Sequence, residues 1–184
     1  MPTTDYVTVD VLRLGNEVEV DLVARCASLD PAVIRTATHL PVFASVGLPF
    51  ALAEVEGLDA LAAARPNLAV FHEAAARHHQ EMDFSLFLYV RERQNPWRLR
   101  ARMFAPLDNV MEDPATGSAS GALAAYLASL ASEADSQVHV TIEQGVEMRR
   151  RSIIEVDVVK VGGAVRDVRI TGRCVPVMRG SIDC

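Results

Sequence analysis

The longest apolar stretch of the chain follows directly after a polar loop. Residues Ala122–Leu130 are almost all apolar or small, on every side that a helix would present. A helix without a polar face is normally buried. The preceding loop, Glu112–Gly121, is rich in acids, hydroxyls and glycine. The pattern therefore predicts one helix through the middle of the domain, with its N-terminus opening at this loop and its end near Ala131.

Most of the other segments predict β-strands, because polar and apolar residues alternate or short apolar runs end at turn residues. Gly15-Asn16 lies between two alternating segments and predicts an N-terminal hairpin. Gly162-Gly163 predicts a turn between two later strands. The predicted strands cover residues 6–12, 17–23, 41–46, 49–55, 84–91, 97–104, 139–143, 152–160, 164–171 and 174–178.

Three shorter helices are predicted, over residues 30–36, 59–65 and 68–79. Many strands with few helices and short turns argue against a parallel, doubly wound sheet. We therefore expect an α+β domain, in which a mixed, mostly antiparallel and barrel-like sheet curls round the one buried helix.

Composition narrows the class of protein. Half of the 184 residues are hydrophobic, which is ample for a core, and the net charge is −6. This charge argues against nucleic acids and anionic membranes as partners. Met1–Asp5 lacks the basic and apolar regions of a signal peptide, and no apolar run is long enough to span a bilayer. Cys26, Cys174 and Cys184 have no metal-binding spacing, so we expect reduced thiols in a cytoplasmic protein.

The polar loop carries the candidate chemistry. Asp113 can cap the helix with Pro114 in its first turn, and Thr116 is an equally good cap. A helix N-terminus also offers free N–H groups and a partial positive charge to a carboxylate or phosphate. Two interpretations thus stay open: Asp113, Thr116 and Ser118 only cap the helix, or they form a small-molecule site.

The loop also carries a longer motif. Glu112–Ala119 (EDPATGSA), preceded by Arg102–Pro106, closely resembles the signature of the PhzF family of phenazine-biosynthesis-like isomerases, relatives of diaminopimelate epimerase. Gly47–Phe50, Gln144–Met148 and Gly172–Gly180 resemble further motifs of the family. The resemblance covers the chain after its first few dozen residues.

The resemblance implies a fold of two halves related by a pseudo-twofold axis, with the active site in the cleft between them. This chain resembles the C-terminal half. We therefore expect residues 1–45 to be the tail end of a first-half domain with its connection, and residues 46–184 to be the PhzF-like C-terminal domain.

Site roles also follow from the resemblance. Asp113 is the expected catalytic acid or base, and Thr116, Gly117 and Ser118 are the expected substrate-binding residues for a small carboxylated metabolite. Glu112 is expected to stabilise the loop. The family's principal catalytic glutamate, with a histidine and a glycine of the cleft, belongs to the first half and has no counterpart here. No cofactor or metal is expected; the adjacent His78 and His79 would not converge on an ion.

Two departures from the family pattern carry further expectations. Asn109 replaces a usual glycine, and asparagine tolerates a left-handed backbone, so we expect the turn to be kept. Arg149–Arg151 with Ser152 replaces Gly-Arg-Pro-Ser. The favoured interpretation of the three arginines is a solvated face, and the alternative is a binding patch for an acidic ligand or partner.

Three functions remain open at this stage. The chain is an isomerase-type enzyme whose missing glutamate comes from another chain, or a small-anion-binding domain without the chemistry, or a structural, dimeric subunit. The expected partners are a carboxylate-bearing substrate together with a second copy of the chain or a complementary first-half domain.

Overall fold

The computed structural model of the chain describes residues 6–8, 11–79, 82–173 and 178–181, the side chains of 6–8 excepted. Its strands are β1 (Tyr6–Thr8), β2 (Arg13–Glu17), β3 (Ile34–Arg35), β4 (Val42–Ser45), β5 (Pro49–Val55), β6 (Leu86–Arg91), β7 (Arg98–Ala105), β8 (Val110–Asp113), β9 (Ser136–Gln144), β10 (Ser152–Val161) and β11 (Ala164–Gly172). Its α-helices are α1 (Val20–Cys26), α2 (Leu58–Ala63), α3 (Leu68–Arg77) and α4 (Gly117–Leu130). Short 3₁₀ turns cover Pro31–Val33 and Pro106–Asp108.

All of these strands belong to one mixed sheet. Its main order is β1-β11-β10-β9-β7-β6-β5-β4-β2, with β3 added to β5 and β8 added to β7. Neighbouring strands are antiparallel except for the pairs β5–β6 and β7–β9. Each parallel pair is joined through helices, α2 and α3 in the first case and α4 in the second. The α+β class and the mostly antiparallel sheet are therefore as predicted.

The two faces of the sheet bury separate cores. Along β5, Phe50 and Leu52 point to the core that surrounds α4, whereas Ala51 and Ala53 point to the opposite core. This alternation follows from the two-residue period of a strand. The second core is covered by α1, α2 and α3, so the central strands are buried on both sides.

Helix α4 runs inside the curl of the sheet. Each of its residues from Ala119 to Ala128 is buried. Gly121 marks the tightest approach, because a Cβ placed there would lie 2.8 Å from Ile170 Cδ1 of β11 and 3.2 Å from Val46 Cγ2. The glycine thus leaves room for both side chains against the helix backbone, and a larger residue would require them to shift.

The C-terminal end of α4 is closed by a buried lysine. Lys160 of β10 is only 4% exposed, and its Nζ donates to the carbonyl oxygens of Ala131, Ala128 and Ser129 at 2.6, 3.3 and 3.4 Å. The Ala128 carbonyl oxygen also accepts from the Ala131 N–H at 3.2 Å, so Lys160 adds donors to the last carbonyls of the helix and its cap, and a cation is favoured at this negative end of the helix dipole. The polar end of an otherwise apolar element is thereby satisfied.

The N-terminal hairpin is the main prediction that was wrong. Gly15-Asn16 lies inside β2, and the predicted second strand is helix α1. The run Glu17-Val18-Glu19-Val20 alternates like a strand, but Leu22, Val23 and Cys26 together pack into the outer core from one helix. Tertiary burial thus overrides the local alternation. The strand predicted for 174–178 falls almost entirely outside the described residues.

The helix predicted for residues 30–36 was also wrong, because this segment is a 3₁₀ turn at Pro31–Val33 followed by β3, whose backbone pairs with β5. The remaining predicted elements are present within a few residues of their expected ends, although β3 and β8 were not predicted. Strands β2, β3 and β4 all precede residue 46 and pair into the same sheet as the later strands. The assignment of residues 1–45 to a first-half domain stays a prediction. None of the helices in the described ranges is long and apolar enough to cross a bilayer.

Replacement of Leu127 by alanine is expected to destabilise the protein by about 2–5 kcal/mol, because it removes contacts and leaves a cavity beside α4. Leu127 is 5% exposed, whereas Leu130 was predicted to be buried but is 46% exposed at the end of the helix. Leu130→Ala is therefore the matched control, with an expected loss of about 1 kcal/mol or less. Chemical denaturation measures both; equal losses would contradict the central position of α4.

Candidate functional site

The polar loop begins with a hairpin between β7 and β8. Its turn passes through Asn109, which has a φ of +60° in the left-handed region. The turn is therefore kept with asparagine in place of the family's usual glycine, as expected. Strand β8 pairs with β7 so that Asp113, its last residue, lies opposite Met103. Helix α4 begins four residues later, at Gly117.

Glu112 anchors this hairpin, in agreement with its predicted role. Both of its carboxylate oxygens accept hydrogen bonds of 2.8 Å from Arg102, through Nε and Nη2. The Nη1 of Arg102 also donates to the carbonyl oxygens of Leu61 and Ala64 at the C-terminal end of α2, at 2.9 and 2.8 Å. Arg102 is 3% exposed, so this bidentate pair is an internal connection between the loop and the outer layer.

Neither predicted cap closes the N-terminus of α4. The helix begins at Gly117 with Thr116 in the cap position, but no side chain accepts a hydrogen bond from its first turn. Asp113 lies on β8 instead, and Pro114 precedes the first helical turn. Among the described residues, none accepts a hydrogen bond from the N–H groups of Gly117 or Ser118, both of which are partly exposed. The interpretation of these residues as caps alone is therefore wrong.

The hydroxyl of Thr116 is bonded elsewhere. Thr116 Oγ1 donates to Asp113 Oδ2 at 2.7 Å. It also lies 3.0 Å from Nε2 of Gln144, and the Thr116 N–H donates to Gln144 Oε1 at 3.0 Å. Gln144 Nε2 further donates to the carbonyl oxygen of Asp113 at 2.6 Å. No role for Gln144 was predicted from the sequence, although this residue belongs to one of the family motifs.

Gly145 places the turn between β9 and β10 against the same loop. It has a φ of +75°, and a Cβ there would lie 2.4 Å from the Arg150 carbonyl oxygen and 2.8 Å from that of Pro114. The arginine run Arg149–Arg151 therefore starts beside the Asp113 loop. Arg149 has a φ of +57°, which explains why the family has glycine at this position.

The arginine run itself is exposed along its whole length, in agreement with the favoured interpretation of a solvated face. Arg151 pairs with Glu143.

The site thus combines an acceptor with donors. The Asp113 side chain is partly exposed, and its Oδ1 receives no hydrogen bond from the described residues. The open first turn of α4, at Gly117 and Ser118, offers N–H groups and the positive end of a helix dipole. A carboxylate that exchanges a proton next to an anion site is what proton transfer on a carboxylated molecule requires.

A groove of about 490 Å³ lies apart from this loop, on the outer face of the sheet. Six arginines and three glutamates line it, but most of the guanidinium groups already form ion pairs. Arg100 contacts Glu143 and Glu147, and Arg91 contacts the buried Glu54. We therefore assign no ligand to this groove.

His39 has a structural role in the core. His39 Nδ1 contacts the Leu40 carbonyl oxygen at 2.7 Å and its Nε2 contacts the Tyr89 hydroxyl at 2.6 Å. Burial lowers the pKa of His39, so the neutral imidazole donates from Nδ1 and accepts from Tyr89. No group of three potential metal ligands converges within the described ranges.

Comparison with known proteins places this geometry in context. The family model described as phenazine biosynthesis-like protein matches residues 16–180. An uncharacterized isomerase of Mesorhizobium japonicum is 31% identical over 167 residues, which are 90% of this chain and 55% of the relative. The trans-2,3-dihydro-3-hydroxyanthranilate isomerase of Pseudomonas fluorescens is 36% identical over 137 residues, 74% of this chain and 43% of that enzyme.

Solved structures show the same fold. A PhzF-family phenazine biosynthesis protein of Bacillus anthracis superposes with a TM-score of 0.78 at 21% identity, over 93% of this chain and 57% of that protein. A PhzF-family protein of Enterococcus faecalis gives a TM-score of 0.58 at 12% identity, over 92% of this chain and 54% of its own. The chain spans about half the length of the relatives it matches.

The two adjacent acids of the loop are expected to differ sharply in their effect on stability. Glu112→Ala leaves the buried Arg102 guanidinium without its carboxylate, so the expected loss is about 3–5 kcal/mol. Asp113→Ala removes one hydrogen bond at a partly exposed position, so the expected loss is about 1.5 kcal/mol or less. Chemical denaturation of both variants tests the division of roles; a larger loss for Asp113→Ala would make Asp113 the structural acid.

Proposed function

The chain belongs to the phenazine biosynthesis-like, PhzC–PhzF family, and from this premise we propose that it supplies one half of an isomerase active site. The observation that carries the proposal is the partly exposed Asp113 carboxylate beside the uncapped N-terminus of α4. In the proposed reaction, a proton is removed from one carbon of a small carboxylated metabolite and a proton is returned to another. Asp113 acts as acid or base in this exchange.

The anion site would hold the carboxylate of the substrate. The N–H groups of Gly117 and Ser118 bind its oxygens, and Ser118 Oγ adds a hydrogen bond. Thr116 contributes by position, because its N–H and hydroxyl are already bonded to Gln144 and Asp113. The name of the Pseudomonas fluorescens relative suggests the substrate class, a dihydro-hydroxyanthranilate-like ring.

The second proton-transfer group would come from the first half of the family's fold. The family's principal catalytic glutamate belongs to the first half of the fold, which has no counterpart among these residues. On strand β8, which leads to Asp113, the apolar side chains of Val110 and Met111 are 38% and 53% exposed. Such a surface is typical of an interface. We propose a complementary first-half domain or a second copy of the chain as the partner that covers it.

The competing function is a small-anion-binding or structural dimeric domain without chemistry. It is favoured by the open N–H groups of Gly117 and Ser118, which would bind an anion without an acid or base. An anion-binding domain and the isomerase both need the helix N-terminus, but only the isomerase needs the Asp113 carboxylate, and a purely structural domain needs neither. The cytoplasmic location remains a prediction.

Titration with anthranilate is expected to shift the backbone amide signals of Gly117 and Ser118 in an NMR spectrum. Ser118→Ala removes a charge-assisted hydrogen bond, so the dissociation constant is expected to rise about tenfold or more. Ser129→Ala is the matched control at the other end of α4, where the hydroxyl donates to the Tyr126 carbonyl oxygen, and it should leave the constant unchanged. Shifts confined to other parts of the chain would remove the anion site.

Isomerisation is expected to depend on complementation. The chain alone should show little turnover of a dihydro-hydroxyanthranilate-like substrate, and addition of a first-half domain that carries the family's glutamate should restore it. Asp113→Asn should abolish the restored turnover while sedimentation still shows the complex. Turnover that survives in Asp113→Asn would assign the acid or base to another residue; a complex that binds the anion but never turns over would favour the non-catalytic function.

A further inference from the structure

Gln144 is the polar residue that the proposed function leaves unexplained. It is the last residue of β9, its side chain points inward, and it is 0% exposed. Its amide nevertheless reaches three groups of the Asp113 loop, namely the carbonyl oxygen of Asp113 and the N–H and hydroxyl of Thr116. A buried amide with this many partners is held in one orientation.

The two ends of this amide cannot be exchanged. The Thr116 N–H can only donate, so the Gln144 atom 3.0 Å from it must be the oxygen, Oε1. The Asp113 carbonyl can only accept, so the atom 2.6 Å from it must be the nitrogen, Nε2. The second hydrogen of Nε2 then points to Thr116 Oγ1 at 3.0 Å.

This orientation decides the direction of the next hydrogen bond. Thr116 Oγ1 accepts from Gln144 and has a single proton of its own to donate. The Asp113 carboxylate lies at 2.7 Å and only accepts, so this proton is directed to Oδ2. Oδ1 then remains the oxygen that faces no donor of the described residues.

The backbone around Gln144 keeps the three residues together. Gly145 has no side chain, which lets the backbone of Pro114 approach the turn after β9. Pro114 lies between Asp113 and Thr116 in the sequence. The same close approach therefore fixes the distance between the Gln144 backbone and the two loop residues that its side-chain amide contacts. The chain of hydrogen bonds from Gln144 through Thr116 to Asp113, here called the relay, is thus positioned by the fold and not by the loop alone.

We propose that Gln144 is a positioning residue, which orients the Asp113 carboxylate through Thr116 and leaves Oδ1 as the oxygen that exchanges the proton. This inference rests on the proposed function, because it gives a purpose to the orientation of Asp113. It assigns Thr116 to the relay and leaves ligand contact to Gly117 and Ser118.

The experiment follows the ¹³Cγ signal of Asp113 in carboxyl-labelled protein at neutral pH, assigned by its loss in Asp113→Asn. Thr116→Val removes the donor and is expected to shift this signal, whereas Thr116→Ser keeps the hydroxyl and should restore it. Gln144→Met is expected to shift it in the same direction. Combined with Thr116→Val, Gln144→Met should add less than its full shift, because the Thr116 hydroxyl is already absent and only the hydrogen bond to the Asp113 carbonyl oxygen is lost in addition.

A second threonine provides the matched control. Thr141 Oγ1 also donates to a carboxylate, Glu155 Oε2 at 2.8 Å, on the outer face of the sheet. Thr141→Val should shift the carboxyl signal of Glu155 and leave the signal of Asp113 unchanged. Gln144→Met should leave the signal of Glu155 unchanged. An amide fingerprint spectrum verifies the fold of each variant.

Two outcomes would overturn the proposal. In the first, folded Gln144→Met leaves the Asp113 signal unchanged; in the second, its shift adds in full to that of Thr116→Val. Should Gln144→Met not fold, Gln144→Asn keeps an amide but withdraws it by one methylene, and the same two outcomes apply. The signal is read without turnover, so a failed complementation experiment removes the proposed isomerase function and leaves this test of the relay intact.

Discussion

An apolar helix that must be surrounded on all sides is the constraint on which this structure depends. Helix α4 has no face that can meet water, so the sheet has to curl round it and close over its smallest residues. A helix buried in this way still has polar ends, which need partners or solvent. The two ends of α4 differ: the C-terminal end is bonded within the fold and contributes to stability, whereas the N-terminal end forms part of the proposed site.

The C-terminal end is closed by a fixed charge, since Lys160 donates to three of its carbonyl oxygens. The N-terminal end is left open, although three hydroxyl or carboxyl side chains lie within the loop before it. Thr116 and Asp113 bond to each other instead of to the helix, and Glu112 bonds to Arg102. The loop is therefore held by internal contacts, while none of the described residues accepts a hydrogen bond from the N–H groups of Gly117 and Ser118.

Much of this arrangement could be predicted from the sequence. The buried helix, the mostly antiparallel sheet and the position of the loop follow from hydrophobic patterning, and the motif Glu112–Ala119 indicated the family. The hairpin around Gly15-Asn16 could not be predicted correctly, because the buried face of α1 exists only once the outer core has formed. Gln144 was missed for a related reason: its partners are some thirty residues away in sequence, and no local pattern distinguishes a buried bridging amide from an exposed one.

The closure of the sheet over Gly121 has a consequence for the order of folding. Strand β7, the β8 hairpin, α4 and β9 follow one another along the chain, so their contacts can form through short loops. Val46 and Ile170, which both approach Gly121, lie far apart in the sequence. Bringing them together closes a much longer loop, and this closure has the larger entropic cost. We therefore expect the segment from β7 to β9, which contains the proposed site, to fold first and the sheet to close round α4 last. Until the sheet closes, the apolar helix is exposed to contact with other chains.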